Sequence, residues 1–312
     1  MHSPAKPASI PTLPPLLVFS ILAAVSLAIW WTPLLSSLAL AWHDDQYTHI
    51  LLILPISAAL VLLDWKTPEP PSAVSVKIGS LLLFTAVLLT AIVRRESFPF
   101  SSEAQLSLNM LALVVWWLAA FYLCFGARAF RRELFPLCFL LWMVPPPPSV
   151  LNPIIGMLQQ GSARAAHLFF FAARLPVTQN GTLLFLPGLT LEVAPECSSI
   201  RSSLILLITM MVVSQLLLRS FWRKLLVVVL AVPVSIAKNG LRIFVLGLLA
   251  IRVDPGFLTG NLHRQGGIIY FLIALVAMLL LIWILRTGEK AHETGPGERA
   301  FDRLGQNRPG VG

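Results

Sequence analysis

Three residues in this sequence carry the side chains that an acyl-transfer reaction requires: Cys197, Arg242 and His263. A thiolate can attack a carbonyl carbon, an imidazole can exchange a proton near neutral pH, and a guanidinium can stabilise an oxyanion. The three residues belong to three separate predicted helices. The membrane topology derived below places all of them at the outer end of the helical bundle, which indicates one shared site.

Cys197 follows a predicted strand and precedes a predicted helix. A thiol at a helix start lies near the positive end of the helix dipole, which stabilises its thiolate form. Arg201 lies four residues further on, on the same helical face, and Ser198 makes the surroundings polar. The alternative is a cysteine that only packs. Two other cysteines in apolar runs are predicted to be such core residues: Cys124 and Cys138.

Arg242 and Lys238 lie four residues apart on one face of a predicted transmembrane helix, and Asn239 adjoins that face. Charges inside a bilayer are costly, so each is a functional candidate, although a cation paired with a carbonyl or carboxylate is the alternative. His263 lies in the loop before the last predicted span. Taken alone, a loop histidine is most often a solvated surface residue.

Other polar residues are weaker candidates. A cluster in the first outer loop could hold a metal, but a solvated hairpin is favoured there; its members are His43, Asp44, Asp45 and His49. Glu192 and Glu196 flank a predicted strand end and could orient a base or bind a substrate backbone, with a surface role favoured. No metal and no cofactor is predicted.

The composition sets the class of protein. Of the 312 residues, 57% are hydrophobic and 12% are charged, whereas a soluble domain has about 25% charged residues. An ordinary soluble enzyme and a disordered protein are therefore excluded. The net charge of +9 comes from short loops and a tail, so membrane topology explains it better than nucleic-acid binding does.

The hydropathy pattern predicts an all-α polytopic membrane protein with about eight transmembrane helices, each needing about 20 apolar residues. The spans are predicted near 16–40, 49–63, 76–93, 108–125, 134–150, 199–218, 225–250 and 267–285. Eight spans place both termini on one side. Lys and Arg are more frequent on the side of the termini, which predicts that the termini are cytoplasmic. The outer pair Arg94 and Arg95 fits this topology worst.

Residues 151–198 form the longest stretch between predicted spans. Its first half is predicted to be a small outer-face helix with one polar stripe, lying in the interface or facing a cavity; the stripe contains Gln160, Arg164, His167 and Arg174. Its second half is predicted to be a β-hairpin that turns at Asn180-Gly181. The predicted organisation is a short tail (1–15), an integral-membrane domain (16–286) and a disordered cytoplasmic tail (287–312).

At the candidate residues the sequence resembles the exosortase/archaeosortase family of membrane cysteine transpeptidases. The resemblance spans about residues 42–285 and rests on three motifs in order: Glu196-Cys197-Ser198-Ser199-Ile200-Arg201, Asn239-Gly240-Leu241-Arg242-Ile243, and His263 followed by Gly266-Gly267. Asp45-Gln46-Tyr47-Thr48-His49 is similar to the family's early Tyr-Ser-His loop. Two positions differ from the common family pattern. Ser199 stands where the family commonly has a glycine, and Glu196 stands where a small residue is usual.

The resemblance implies a protease-like enzyme of the bacterial inner membrane that takes part in protein sorting and often accompanies exopolysaccharide genes. Such enzymes cleave exported proteins at a C-terminal sorting signal made of a Pro-Glu-Pro motif, a hydrophobic helix and a basic tail. Cys197, Arg242 and His263 would be catalytic, with Arg201, Asn239, Ser198 and Glu196 in support. The alternatives are an intramembrane hydrolase and a non-catalytic membrane protein, such as a transporter or an exopolysaccharide assembly partner. Lipid and exported substrates are the predicted partners, and the oligomeric state stays open.

Overall fold

The computed structural model describes residues 14–63, 65, 73–95, 101–193, 200–258 and 267–293. Within these ranges the chain is mainly helical, with one small antiparallel sheet. It forms two compact units, Met1–Leu151 and Asn152–Gly312.

The first unit is helical in its described residues. Its elements are α1 (Pro15–Ile29), α2 (Trp31–His43), α3 (Ile50–Leu63), α4 (Ala73–Val93), α5 (Ser102–Arg132), α6 (Leu134–Phe139) and a 3-10 turn (Leu140–Met143). Helix α7 (Pro148–Ala172) begins in this unit and continues in the second.

The second unit combines the sheet with three long helices. Its elements after α7 are β1 (Thr178–Asn180), β2 (Leu183–Leu186), β3 (Leu189–Glu192), α8 (Ile200–Leu217), α9 (Phe221–Arg252), a 3-10 turn (Pro255–Leu258) and α10 (Gly267–Glu293).

The described helices are those of a multi-pass membrane protein. Five of them are long and apolar enough to cross a bilayer, or up to seven if each of two bent helix pairs counts as one span. The predicted number of eight is not confirmed, because α3 has only 14 residues and a span needs about 20. That both termini lie on one side requires an even number of spans and stays a prediction.

The predicted span 16–40 is broken into α1 and α2, which meet at an angle of 76°. Pro33 lies in the first turn of α2. It has no N–H, and in an unbroken helix its ring would clash with the carbonyl four residues earlier, that of Ile29. The Ile29 carbonyl instead accepts a hydrogen bond from Arg94 Nη2 at 3.0 Å. Arg94 thus satisfies a backbone group that the proline leaves without a helical partner.

The predicted span 134–150 is also interrupted. Helix α6 and the 3-10 turn end at Met143, because the proline run Pro145–Pro148 cannot continue a helix. Side-chain hydroxyls satisfy two carbonyls of this run: Ser107 donates to Pro145 O at 2.7 Å and Tyr47 donates to Pro146 O at 3.2 Å. The run is therefore bound to α5 and to the turn between α2 and α3.

Helix α5 contains a kink at Gly126, whose φ of 77° lies in the left-handed region that only glycine adopts readily. The predicted span 108–125 ends one residue before this kink. A glycine in an apolar helix therefore marks a change of direction here.

The region of the predicted hairpin folds as three antiparallel strands in the order β1-β2-β3. Asn180-Gly181 forms the first turn, with a φ of 60° at Gly181. One face of the sheet packs on α7; the buried residues of this cluster are Ala166, Phe170, Leu184, Leu186 and Leu191. The sheet thereby holds the chain next to α7 up to Val193.

Helices α8, α9 and α10 share one apolar core. Its buried members include Leu206 and Met210 on α8, Val227 and Ala231 on α9, and Met278 on α10. Because this cluster contains side chains from all three helices, the helices form one bundle.

Candidate active site

The structure describes three of the predicted site residues, Arg201, Asn239 and Arg242. The others lie outside the described residues; they are Glu196, Cys197 and Ser198 in residues 194–199, and His263 in residues 259–266. The described part of the site therefore consists of the helix ends next to these two segments and of the polar face of α9.

Four polar residues form a stripe along α9: Ser235, Lys238, Asn239 and Arg242. Their spacing of i, i+3, i+4 and i+7 places them on one side of the helix. Ser235, Lys238 and Asn239 are buried, and Arg242 is half-buried. Polar and charged groups inside a membrane bundle are costly, so the residues of the stripe are candidates for a functional role.

Two hydrogen bonds set the register between α8 and α9. Lys224 Nζ donates to Gln215 Oε1 at 2.8 Å, and Lys238 Nζ donates to Ser202 Oγ. From Lys224 to Lys238 the chain of α9 runs forward, whereas their partners, Gln215 and then Ser202, run backward along α8. The two helices are therefore antiparallel. Arg242 lies about 6 Å further along the axis than Lys238. Because Lys238 lies beside Ser202, Arg242 is level with the start of α8, whose first described residue is Ile200.

A second register relates α9 to α10. Arg223 Nη1 donates to the carbonyl of Leu285, so the C-terminal half of α10 lies beside the first turn of α9. Further along α9, Arg242 is close enough to Tyr270 for the two groups to interact electrostatically. Tyr270 is buried and lies in the first turn of α10, which begins at Gly267. Arg242 is therefore level with the start of α10 as well.

Arg201 and Asn239 have different surroundings. The Arg201 side chain is exposed on α8, whereas the neighbouring Ser202 contacts Lys238. Asn239 is buried, and its Nδ2 donates to Ser162 Oγ on α7 at 3.0 Å. In the structure Asn239 thus ties α9 to α7.

The contact between α7 and α9 depends on small residues. A Cβ atom at Gly240 would lie 2.5 Å from Ala165 Cβ and 2.9 Å from the backbone nitrogen of Ala166. Small side chains allow such close approach of two helix backbones within a membrane bundle. Because Gly240 lies between Asn239 and Arg242, this contact positions the polar stripe.

Gly240→Ala is expected to destabilise the second unit by about 1–3 kcal/mol, because the added methyl group must push the two helices apart. The measurement is thermal unfolding of the detergent-solubilised protein. Gly156→Ala on α7 is the matched control, since nothing lies within 4 Å of the added Cβ there. Equal unfolding temperatures for the two variants would contradict the close packing.

The end of the sheet is also attached to α7. Gln159 Nε2 donates to the carbonyl of Val193 at 3.0 Å. Val193 is the last described residue before 194–199, and Ile200 is the first one after. The segment 194–199, which contains the predicted nucleophile, therefore follows Val193, which is hydrogen-bonded to α7, and precedes α8, which is hydrogen-bonded to α9.

The predicted polar stripe of α7 faces outward. Gln160, Arg164 and Arg174 are exposed, and His167 is half-buried. The buried face is the opposite one, which contains Ser162. Ser162 and Gln159 were not among the site residues predicted from the sequence, although two polar residues three positions apart on an apolar helix are a usable signal.

The first unit contains a separate cleft of about 560 Å³. It lies between α2, the first turns of α5 and the proline run; its polar lining includes Ser36, Asp44, Tyr47, Glu103 and Asn109. Burial and the nearby charges of Asp44 and Glu103 raise the pKa of Tyr47, so its hydroxyl stays protonated and donates to Pro146.

The residues of the predicted first outer loop differ in exposure. His43 and Asp45 are exposed, but His49 is buried against Trp142 with ring centroids 6.4 Å apart. Burial lowers the pKa of His49, which favours the neutral form of its ring. Across the described ranges, no three His, Cys, Asp or Glu side chains are grouped so that they could hold a metal.

Comparison with known proteins gives one match. A family model described as transmembrane exosortase matches residues 30–280, which is most of the chain. No curated protein and no solved structure matches it. The matched residues include the polar stripe of α9 and the first turns of α8 and α10, which are level with Arg242. The chain therefore belongs to the transmembrane exosortase family.

Proposed function

We propose that this protein is a membrane-embedded cysteine transpeptidase with Cys197, Arg242 and His263 as its catalytic residues. One observation carries the proposal: Arg242 is level with the start of α8 and with the start of α10. Cys197 precedes Ile200 by three residues, and His263 precedes Gly267 by four. An extended chain covers at most about 3.6 Å per residue, so both lie within about 15 Å of these helix starts.

The proposed reaction has two steps. The Cys197 thiolate attacks the scissile carbonyl carbon, the C–N bond breaks, and His263 gives a proton to the leaving amine. An acceptor nucleophile then attacks the thioester, its proton passes to His263, and the thiolate is released. Arg242 stabilises the negatively charged oxygen of the tetrahedral intermediates. Ser198, Glu196 and Arg201 support the nucleophile segment, and Asn239 holds α9 in place.

The substrate and the location follow from the family resemblance. The substrate is an exported protein with a Pro-Glu-Pro motif, a hydrophobic helix and a basic tail at its C-terminus. The enzyme lies in the bacterial inner membrane, with its active site at the periplasmic face and both termini in the cytoplasm. The substrate helix docks between spans, in contact with lipid. No metal or cofactor takes part in this reaction.

A non-catalytic membrane protein is the second candidate, and the buried stripe of α9 is the observation that favours it. Lys238 and Ser235 are buried, as Asn239 is, and polar residues in that position can line a transport pathway. In that case Cys197 would be dispensable, whereas Lys238 would matter as much as Arg242.

The test is to trap the thioester. The chain is co-expressed with a reporter that ends in a Pro-Glu-Pro segment, a hydrophobic helix of about 20 residues and a basic tail. Mass spectrometry of the enzyme is expected to find a hydroxylamine-sensitive adduct on the Cys197 peptide. A new group on the reporter's C-terminus means transfer, and a free acid there means the intramembrane hydrolase. Processing without any adduct on Cys197 would reject the proposed nucleophile.

A further inference from the structure

The turn between α8 and α9 lies beside the C-terminal end of α10. Glu289 on α10 accepts hydrogen bonds from the backbone N–H groups of Arg219 at 3.1 Å and Ser220 at 2.9 Å. Arg223, in the first turn of α9, donates to the carbonyl of Leu285. These bonds bring residues 219–224 and 285–289 to one height, and the two segments together are called the basic end of the bundle.

The basic end carries more positive than negative charge. Its residues, all described, include one carboxylate, Glu289, and four cations, which are Arg219, Arg223, Lys224 and Arg286. The Glu289 carboxylate is engaged by the backbone of the turn. Arg223 and Lys224 are half-buried, whereas the side chains of Arg219 and Arg286 are exposed. The basic end therefore presents two guanidinium groups to its surroundings.

Exposed aromatic rings lie at the same height. Phe221 and Trp222 begin α9 and are 68% and 74% exposed, and Trp283 on α10 is 63% exposed. Tryptophan is enriched where the hydrocarbon of a bilayer meets the headgroups. Towards the middle of the bundle the exposed side chains are apolar, as at Leu216 and Leu280. The sequence of apolar, aromatic and cationic side chains follows the order of acyl chain, interface and headgroup in a lipid leaflet.

We infer that the basic end is a binding site for the headgroup of an anionic phospholipid, whose phosphate is held by Arg219 and Arg286. A guanidinium group donates paired hydrogen bonds to phosphate oxygens, and its long side chain can reach from the helix to the headgroup level. The aromatic and apolar side chains next to it contact the rest of the lipid. The site is independent of the proposed transpeptidase reaction.

Charge complementarity selects an anionic lipid over a zwitterionic one. Both kinds of headgroup carry a phosphate, but the ammonium group of a zwitterionic headgroup adds a positive charge close to the two arginines. Each Lys or Arg near the membrane surface favours anionic lipid by an amount that corresponds to about fivefold in affinity. We therefore expect phosphatidylglycerol to be preferred over phosphatidylcholine at this site.

The test is quenching of Trp222 fluorescence by brominated lipid. The full chain is reconstituted into phosphatidylcholine nanodiscs that contain an equal fraction of brominated phosphatidylglycerol or of brominated phosphatidylcholine. The Trp222 signal is the difference between the protein and its Trp222→Phe variant, because the chain has nine tryptophans. Stronger quenching of this signal by brominated phosphatidylglycerol is the expected result.

Arg219→Gln and Arg286→Gln are each expected to lower the preference for phosphatidylglycerol about fivefold. In Arg219→Gln the turn is kept, because it is the backbone N–H of Arg219 that binds Glu289. Arg131→Gln is the matched control, since Arg131 is an exposed cation in the last turn of another helix, α5. The preference should also weaken in about 1 M sodium chloride, where charges are screened within about 3 Å.

Three results would overturn the inference. The first is equal quenching of Trp222 by the two brominated lipids. The second is a preference that persists when Arg219 and Arg286 are both replaced by glutamine, or that falls equally in Arg131→Gln. The third is displacement of the brominated lipid by inorganic phosphate at constant ionic strength, which would assign the two arginines to a free anion.

Discussion

Replacement of Cys197 by alanine is expected to lower processing of a sorting-signal reporter by at least about 10³-fold, because the thioester can no longer form. Cys197→Ser is expected to be nearly as inactive, since a serine hydroxyl is hardly ionised at neutral pH and needs a stronger base. The measurement is the fraction of reporter that loses its C-terminal segment in membranes with equal amounts of each variant.

Cys138→Ser is the control for this experiment, since Cys138 is a free cysteine that the proposed reaction does not use. It should process the reporter at the rate of the unsubstituted protein. Normal processing by Cys197→Ala would contradict the enzymatic role and leave the non-catalytic alternative in place.

Arg242→Gln is expected to lower the processing rate by about 10²- to 10³-fold, which is the usual effect of losing one group that stabilises an oxyanion. Arg242→Lys should recover only part of the rate, because an ammonium keeps the charge but lacks the planar pair of N–H donors. Because Arg242 is only half-buried, neither variant is expected to prevent insertion. Rates are measured at saturating and at limiting reporter levels.

Arg252→Gln provides the comparison on the same helix. Arg252 is exposed in the last turn of α9, about four turns closer to the end than Lys238, and should tolerate the change. If Arg242→Gln processes the reporter within about threefold of Arg252→Gln, Arg242 has no part in the chemical step. A lower unfolding temperature together with an unchanged rate would assign it a packing role.

Hydropathy predicted the class of this protein and the positions of its long helices well. The predicted spans 76–93, 199–218, 225–250 and 267–285 each overlap one continuous helix of the structure. These segments are predictable because an apolar run of about 20 residues satisfies its own backbone only as a helix in lipid. The same reasoning failed at Pro33, where the predicted span 16–40 is broken, because hydropathy does not register a missing N–H.

The site was only partly accessible to sequence reasoning. Arg242 and Asn239 were identified from their spacing on one helix, but spacing did not show that Asn239 binds Ser162 on α7. Lys238 was recognised as a costly charge, yet its contact with Ser202 joins two helices and has no signature within either one. Such partners depend on which helix faces are in contact, and a single sequence does not contain that information.

By itself, the sequence determined that this chain is a helical membrane protein, which residues can do chemistry, and which family they resemble. Those properties are local, since each follows from residue type, spacing or the length of an apolar run. Only the tertiary structure decided that Arg242 is level with the starts of α8 and α10, because that height depends on the registers of two antiparallel helix pairs. These registers are fixed by hydrogen bonds between residues far apart in the chain, at Lys238 and at Arg223.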